Sequence, residues 1–353
     1  MATTLDGVAR HARVSTATVS RVLRGANGEI PISAATRQRV LAAVRELDYR
    51  PNLTARSLAR GRTHTIGVVL PEGAMRLRRV YNATILAGIS DVLTARGYAL
   101  ALYFSEFGRQ PQAPGHISLL QDGRVDGGLI VDSFALDDEQ IAALEREAGR
   151  FPCVLIGHRL PQSRLHWVAA DDRAGAIAAV DHLYQLGHRR IAHLYNRRGR
   201  PGSERQADYQ EALAARGLEA RSDWLVASEM ASGMAALVDR ATREMGELWT
   251  HHEPPTALFA WNDYAALAAI QGLRQTGVVV PRDVSVVGYS DFDVAVLGQP
   301  PLTTVRTPLY EQGALAAEVL LDTLDSGNAQ PVQRLLPTVL VVRESTGSAP
   351  QPG

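Results

Sequence analysis

From Thr65 onward the chain alternates between two textures, and this restricts its folding choices more than any other feature. Seven apolar runs of strand length follow one another: TIGVVLP (65–71), YALALYF (98–104), GGLIVDS (127–133), CVLIG (153–157), RIAHLYN (190–196), ALFAW (257–261) and VSVVGYS (284–290). Runs this continuous have no polar face, so both faces of each strand need cover. Amphipathic stretches stand between them, at roughly 81–96, 137–148, 173–187, 203–216, 263–276 and 308–326. Repeated strand–helix alternation gives parallel sheets with helices on both faces. This many strands divide better into two doubly wound subdomains than into one sheet. Ligands in such folds bind beyond the carboxyl ends of the strands, and the cleft between two subdomains is the default site.

The first 64 residues have a different texture. Thr4 can cap a helix over 5–12, and a break falls at Arg13-Val14. Ser15 can cap a second helix that ends near Gly25, because a hydroxyl ahead of the first turn accepts from free N–H groups. The loop GANGEIPI follows, and Ser33 caps a third helix, ATRQRVLAAVREL, with Val40, Leu41, Val44 and Leu47 on one side. Three short helices, the first two joined by a tight turn, form a helix-turn-helix unit. The next stretch, YRPNLTARSLARGRTHT, holds one helix of about nine residues, too short to be stable alone in water.

Charge separates the same two regions. The formal net charge is zero, yet residues 1–64 hold eleven arginines against Asp6, Glu29, Glu46 and Asp48, and no lysine occurs anywhere. A basic N-terminal segment is the footprint of nucleic-acid binding; the alternative is a solvated basic surface. The stretch VSTATVSRVLRG sharpens the question. Val14, Val19, Val22 and Leu23 form an apolar stripe at helical spacing. Thr16, Ala17, Ser20, Arg21 and Arg24 are left for the opposite face, which is thin, cationic and free of acids.

Several functions are excluded by what the sequence lacks. Hydrophobic content of 46% with 21% charged residues suits an ordinary globular chain, and no apolar run is long enough to span a bilayer. The start, MATTLDGVARHARVS, has no secretory apolar stretch, so the cytoplasm is the expected compartment. The single cysteine, Cys153, sits in an apolar run and reads as a core thiol; it can form no intramolecular disulfide or cysteine-based metal cluster. No GxxxxGK[ST], HExxH, GxSxG or GxGxxG stands in the chain, so neither an enzyme nor a resident cofactor or metal is expected.

TLDGVARHARVSTATVSRVLRG and SAATRQRVLAAVRELDYRPNLTARSLARG resemble the headpiece and hinge of the lactose-repressor (galactose-repressor) family of bacterial transcription regulators. The resemblance continues through VDGGLIV, LYQLGHRRIAHL, ALFAWNDYAALAAIQGL, VPRDVSVVGYSDF and PPLTTVRTPLYEQG. It implies a helix-turn-helix headpiece over 1–48, a hinge over 49–64, a periplasmic-binding-protein-like α/β core over 65–347 and a disordered tail over 348–353. In the core it implies an N-lobe of about 65–165 plus 302–330 and a C-lobe of about 166–301 plus 331–347. The function implied is a cytoplasmic, sequence-specific repressor, on the nucleoid when bound. As a homodimer it would grip a palindromic double-stranded operator under control of a small-molecule effector. The competing reading is a small-molecule binding protein without a DNA role.

Residue by residue, the resemblance makes Thr16, Ala17 and Arg21 the base-reading positions, with Thr18 and Ser20 nearer the DNA backbone. Thr4, Ser15 and Arg24 complete the headpiece set. Leu58 matches the hinge leucine that wedges into the minor groove, supported by Asn52, Arg56 and Ser57; the alternative is that Leu58 packs on the core. Arg205 and Asn262 fall at polar anchors of the effector, with Arg79, Tyr81, Asp132, Ser133, His158, Asp171 and Ser290 around them. Each of these can also be read as a helix cap or a surface charge. Five positions depart from the family pattern. Arg13 stands where the turn has glycine, costing roughly 1 kcal/mol if the backbone is left-handed. Gly7 replaces an acid. Ser290 replaces the acid that sugar-binding members carry, and Ser228 stands where an aromatic platform is expected. Asp208 replaces a glycine beside Arg205 and is expected to pair with it. These departures argue against an ordinary pyranose and leave an anionic or otherwise polar ligand open.

Overall fold

The computed structural model describes residues 4–24, 32–49, 62–71, 77, 79–105, 118, 120–131, 138–147, 151–196, 200–228, 234–249, 253–327 and 330–351. The chain forms two compact units, Met1–Thr63 and His64–Gly353.

In the first unit α1 (Leu5–His11), α2 (Thr16–Arg24) and α3 (Ala34–Glu46) enclose a small core of Val8, Ala9, Ala12, Val19, Val22, Val40 and Ala43. The caps fall where the hydroxyls predict. Thr4 Oγ1 accepts from Gly7 N at 3.2 Å, and Ser33 Oγ accepts from Thr36 N at 3.3 Å. The stripe on α3 is shifted from expectation: Ala43 is buried, whereas Leu41 keeps 40% of its exposure. His11 Nε2 and Glu46 Oε2, 2.8 Å apart, tie α1 to the end of α3. The hinge positions Asn52, Arg56, Ser57 and Leu58 lie outside the described residues.

The second unit is built on two six-stranded sheets. The first contains β1 (Thr65–Pro71), β2 (Ala99–Ser105), β3 (Gly127–Val131), β4 (Cys153–Ile156), β5 (His166–Ala170) and β11 (Gln333–Leu336), in the order β11-β5-β4-β3-β1-β2. The second contains β6 (Ile191–Asn196), β7 (Leu225–Ser228), β8 (Ala257–Ala260), β9 (Ser285–Ser290), β10 (Thr303–Arg306) and β12 (Val339–Val341), in the order β12-β10-β9-β8-β6-β7. All neighbours are parallel except β10 and β12. The helices are α4 (Val80–Ala95), α5 (Asp138–Glu147), α6 (Asp172–Gln185), α7 (Arg200–Ala214), α8 (Met234–Trp249), α9 (Asp263–Gln275), α10 (Val294–Leu297) and α11 (Leu309–Ser326). Both faces of the first sheet are covered: Ile66, Val68 and Leu70 enter one core cluster and Val69 another. Cys153 belongs to the latter, and burial pushes its thiol up to about 12, so it behaves as a core side chain.

Strand pairing moves the lobe boundaries from those expected. β5 pairs with β4, placing 166–170 in the first lobe, and β10 pairs with β9, placing 303–306 in the second. β11 pairs with β5 and returns 333–336 to the first lobe, whereas β12 pairs with β10 in the second. The chain thus crosses between lobes three times, at about Asp171, Thr307 and Pro337. Beyond the second crossing α11 packs on α4 in the first lobe. Gly88 and Gly313 permit this approach: a Cβ at either would run into the other helix's backbone, at Tyr310 O or Ile85 O. The expected disordered tail is also corrected. Ala349 N donates to Leu186 O at 2.8 Å, and His188 Nε2 bonds Gly347 O at 3.1 Å, so the chain is held as far as residue 349.

Candidate nucleic-acid interface and ligand cleft

The headpiece separates the hydroxyls of α2 by task. Ser15 Oγ accepts from Thr18 N at 3.2 Å and bonds Thr18 Oγ1 at 2.9 Å, so both hydroxyls serve the helix cap. Thr16 and Ala17 stand exposed on the first turn, which has no acid. Ser20 and Arg21 follow at half-burial, and Arg21 has no ion pair among the described residues. Thr4, exposed at the α1 cap, adds a third N-terminal hydroxyl. The side chain of Arg24 lies outside the described residues. Arg13 has φ 53°, the left-handed conformation that favours glycine, and leads directly into α2. The surface presented by α2 is therefore small, hydroxylated and cationic, able to approach base edges and phosphates closely.

In the second unit a cavity of about 370 Å³ is lined from both lobes. Gly157 and Arg159 follow β4 and Leu335 lies on β11; Asp171 and Asp172 start α6, and Asp208 lies on α7. Crossing from β5 to α6 places Asp171 at the junction of the lobes. Its Oδ1 caps α6 by accepting from Ala174 N at 3.0 Å, and its carbonyl accepts from Thr338 Oγ1 at 2.9 Å, so it also pins the third crossing.

Arg205, on α7, is already engaged. Nη2 donates to Asp172 Oδ2 at 3.0 Å, Nη1 donates to the Trp261 carbonyl at 2.8 Å, and the guanidinium lies 3.9 Å over the Tyr289 ring. Tyr289 O–H in turn donates to Asp172 Oδ1 at 2.8 Å. The expected pairing of Arg205 with Asp208 is not formed, because Asp172 has taken that place. Burial works against the charge on the guanidinium, but Asp172, Tyr289 and Tyr81 outweigh it and hold the group in its charged form. Tyr81 of α4 lies within electrostatic reach of Arg205, bringing a first-lobe residue to the same centre.

The other positions divide. His158 is buried just after β4, between two cavity-lining residues, and Arg79 sits at the N-terminus of α4. Asn262 is 6% exposed, and its Oδ1 caps α9 by accepting from Ala265 N at 2.8 Å. Ser290 ends β9 with φ 105°. Asp132 and Ser133 lie outside the described residues, as does the side chain of Ser228. The sequence reading missed Asp172, Glu204 and Tyr289; the only signal for them was adjacency to residues already chosen. It also missed Asp291, whose carboxylate accepts from Arg306 Nε at 2.8 Å and Arg343 Nη2 at 2.6 Å beside the second crossing.

Charges of both signs line the cavity. Arg173 grips Glu211 through Nε, at 3.0 Å, and through Nη2, and Arg205 is matched by Asp172. Asp171, Glu204 and Asp208 line the cavity together with Arg159. Burial, followed by the charges of Asp172 and Glu204, pushes the Asp208 carboxyl up to about 6.

Comparison with known proteins identifies both units. Residues 4–52 match the family of bacterial regulatory proteins, lacI family, and residues 180–346 match the periplasmic binding protein-like domain. The regulator CelR of Thermobifida fusca is 35% identical over 97% of this chain and 98% of its own. The repressor CytR of Escherichia coli (strain K12) is 31% identical over 99% of this chain and 98% of its own. Among solved structures, the lac repressor dimer bound to operator and the anti-inducer ONPF has a TM-score of 0.84 at 27% identity, covering 98% of this chain and all of that one. A complex of CelR with cellobiose has a TM-score of 0.68 at 33% identity, covering 97% of this chain and 99% of that one.

Proposed function

The chain belongs to the lacI family of bacterial regulatory proteins, and from that premise we propose how its parts divide the work. It is a DNA-binding transcription regulator that acts as a dimer, with an effector-binding core. We assign it repression of a palindromic operator. Thr16, Ala17 and Arg21 read base edges, Thr4, Ser15, Thr18, Ser20 and Arg24 face the DNA backbone, and two headpieces occupy half-sites about one helical turn apart. The hinge supplies Leu58 as a minor-groove wedge, flanked by Asn52, Arg56 and Ser57. The cavity between the lobes, lined by Asp171 and by Asp172, the partner of Arg205, takes the effector, and no catalytic step is assigned to it. The protein works in the cytoplasm, on the nucleoid when bound.

The observation that supports this most is the acid-free, exposed first turn of α2 within a segment where eleven arginines face four acids. A mobility shift on duplexes selected from a random pool tests it. Binding is expected to be tight at low salt and to fall steeply as salt rises, since each neutralised phosphate releases counterions. No binding to any duplex at low ionic strength overturns the assignment.

Control passes through the lobes. A ligand that favours one lobe arrangement changes the spacing of the paired hinges, and a short hinge helix forms only when paired on DNA. Proteolysis between Tyr49 and Thr65 is expected to slow when operator is added. Equal cleavage with and without DNA removes this mechanism.

A further inference from the structure

Phe292 packs outside its own lobe. It follows β9 in the second lobe, yet it is 8% exposed and belongs to the hydrophobic core of the first. The other buried members of that cluster all lie on β1, β3, β4, β5, α4 or α11. Tyr264, whose ring centroid is 5.5 Å from that of Phe292, packs against the same cluster and also against Leu237, Ala241 and Ala268, where α8 meets α9. Three residues after Phe292 the chain is back in the second lobe's core, at Ala295. The loop that carries the ring is fixed to the second lobe on both sides. The buried carboxylate of Asp263 accepts from Phe292 N at 2.7 Å. Asp291 accepts from Arg306, at the end of β10, and from Arg343, just after β12. Those strands adjoin the crossings by which the chain leaves and re-enters this lobe. Ser290 and Asp291 both have left-handed backbone, φ 105° and 57°, a conformation that persists only where the surroundings over-determine it. An aromatic ring mounted this way in a neighbouring core is either seated or withdrawn, because packed cores do not deform continuously.

Resting on the reading that control passes through the lobes, we propose that Phe292 is the positioning residue of the lobe junction. Its ring latches the second lobe to the first, and the lobe arrangement is held while the ring is seated. Withdrawal exposes a phenyl group and leaves a hole in the first lobe's core, so movement past this point carries an apolar cost. Asp263 and Asp291 hold the ring's backbone to the second lobe, so the ring cannot stay seated while that lobe swings away.

The test reads the lobe arrangement directly. Arg146→Cys on α5 and Gln185→Cys on α6 put one nitroxide on each lobe, both at exposed positions. Cys153 stays unlabelled, being 3% exposed with its thiol pushed up to about 12. Labelled chains are diluted into unlabelled full-length protein so that each dimer carries one pair, and pulsed dipolar spectroscopy gives the distance between lobes. Phe292→Ala is expected to shift or broaden that distance by about 2 Å or more, and Phe292→Leu by less. Phe259→Leu, confined to the second lobe's own core, is expected to lower the urea midpoint and leave the distance unchanged. Circular dichroism verifies folding, and if Phe292→Ala does not fold, Phe292→Leu carries the comparison with Phe259→Leu. A wild-type distance in every folded Phe292 variant overturns the latch, as does an equal shift in Phe259→Leu. Operator affinity of the unlabelled variants, measured by mobility shift, separates the latch from the reading it rests on. A change of about fivefold or more in Phe292→Ala, together with the altered distance, supports both. An altered distance with unchanged operator affinity supports the latch and removes lobe control of DNA binding.

Discussion

In the headpiece, Arg21 stands half-buried beside exposed Thr16 and Ala17, with no ion pair among the described residues. In the second lobe, Arg205 is 9% exposed and engaged by a carboxylate, a carbonyl and an aromatic ring. The same side chain is available for a partner in one region and built into the scaffold in the other. The difference follows from size. A core of seven small side chains cannot enclose a guanidinium, whereas two six-stranded sheets supply enough depth to desolvate one and polar groups to bond both of its terminal nitrogens.

The contrast can be broken most forcefully at Arg205. Replacing Arg205 with alanine strands Asp172 and Tyr289, and is expected to cost roughly 3 kcal/mol of core stability. Urea unfolding followed by tryptophan fluorescence reads this; an unchanged midpoint means the pair is not structural. Arg21→Ala should do the reverse. The unfolding midpoint stays put while operator affinity drops by about 2 kcal/mol, and base preference relaxes at one position of the half-site. Equal loss on every sequence would make Arg21 a phosphate contact instead.

A third probe uses pH. His193 is fully buried, stacked on Tyr209 at 4.6 Å and Phe259 at 5.0 Å, with Nδ1 donating to the Phe259 carbonyl at 2.9 Å. Burial pushes its imidazole down to about 4. Between pH 4 and 6.5 the unfolded chain binds a proton that the folded chain refuses, so this contribution to stability is complete above pH 6.5 and is lost as pH falls toward 4. Asp263 has the opposite sign. Burial raises its carboxyl to about 7, so its contribution falls as pH rises from about 4 to 7. His193→Phe should therefore improve stability at pH 5, relative to pH 7.5, by about 2 kcal/mol against the wild type. A difference identical to wild type would place the proton elsewhere. The smallest effect belongs to the turn before α2. Arg13→Gly relieves a left-handed backbone at φ 53° and should stabilise the headpiece by at most about 1 kcal/mol, seen as slower amide exchange in α1 and α2.

Both layers of the fold were legible before any coordinates, because each rests on local pattern. The apolar runs and the capping hydroxyls Thr4, Ser15 and Ser33 act within a few residues of themselves. Short strands escaped: β5, β7, β10, β11 and β12 have three to five residues each and flank polar positions, too little for periodicity to register. Helix α8 was also overlooked. The ligand cleft was legible in outline only. Arg205 could be singled out, but its partner Asp172 lies 33 positions away along the chain, and pairing with Asp208 seemed natural because the two share one helix face.

Local chemistry, then, determined that this chain has a cationic helical headpiece and a doubly wound α/β body. It could do so because caps, helical stripes and strand-length apolar runs depend on near neighbours alone. Strand order, the three lobe crossings and the choice of Asp172 over Asp208 as the partner of Arg205 were decided only by tertiary structure. Each is a competition between groups distant in sequence, and burial settles it through the cost of leaving a charge or a backbone edge unmatched.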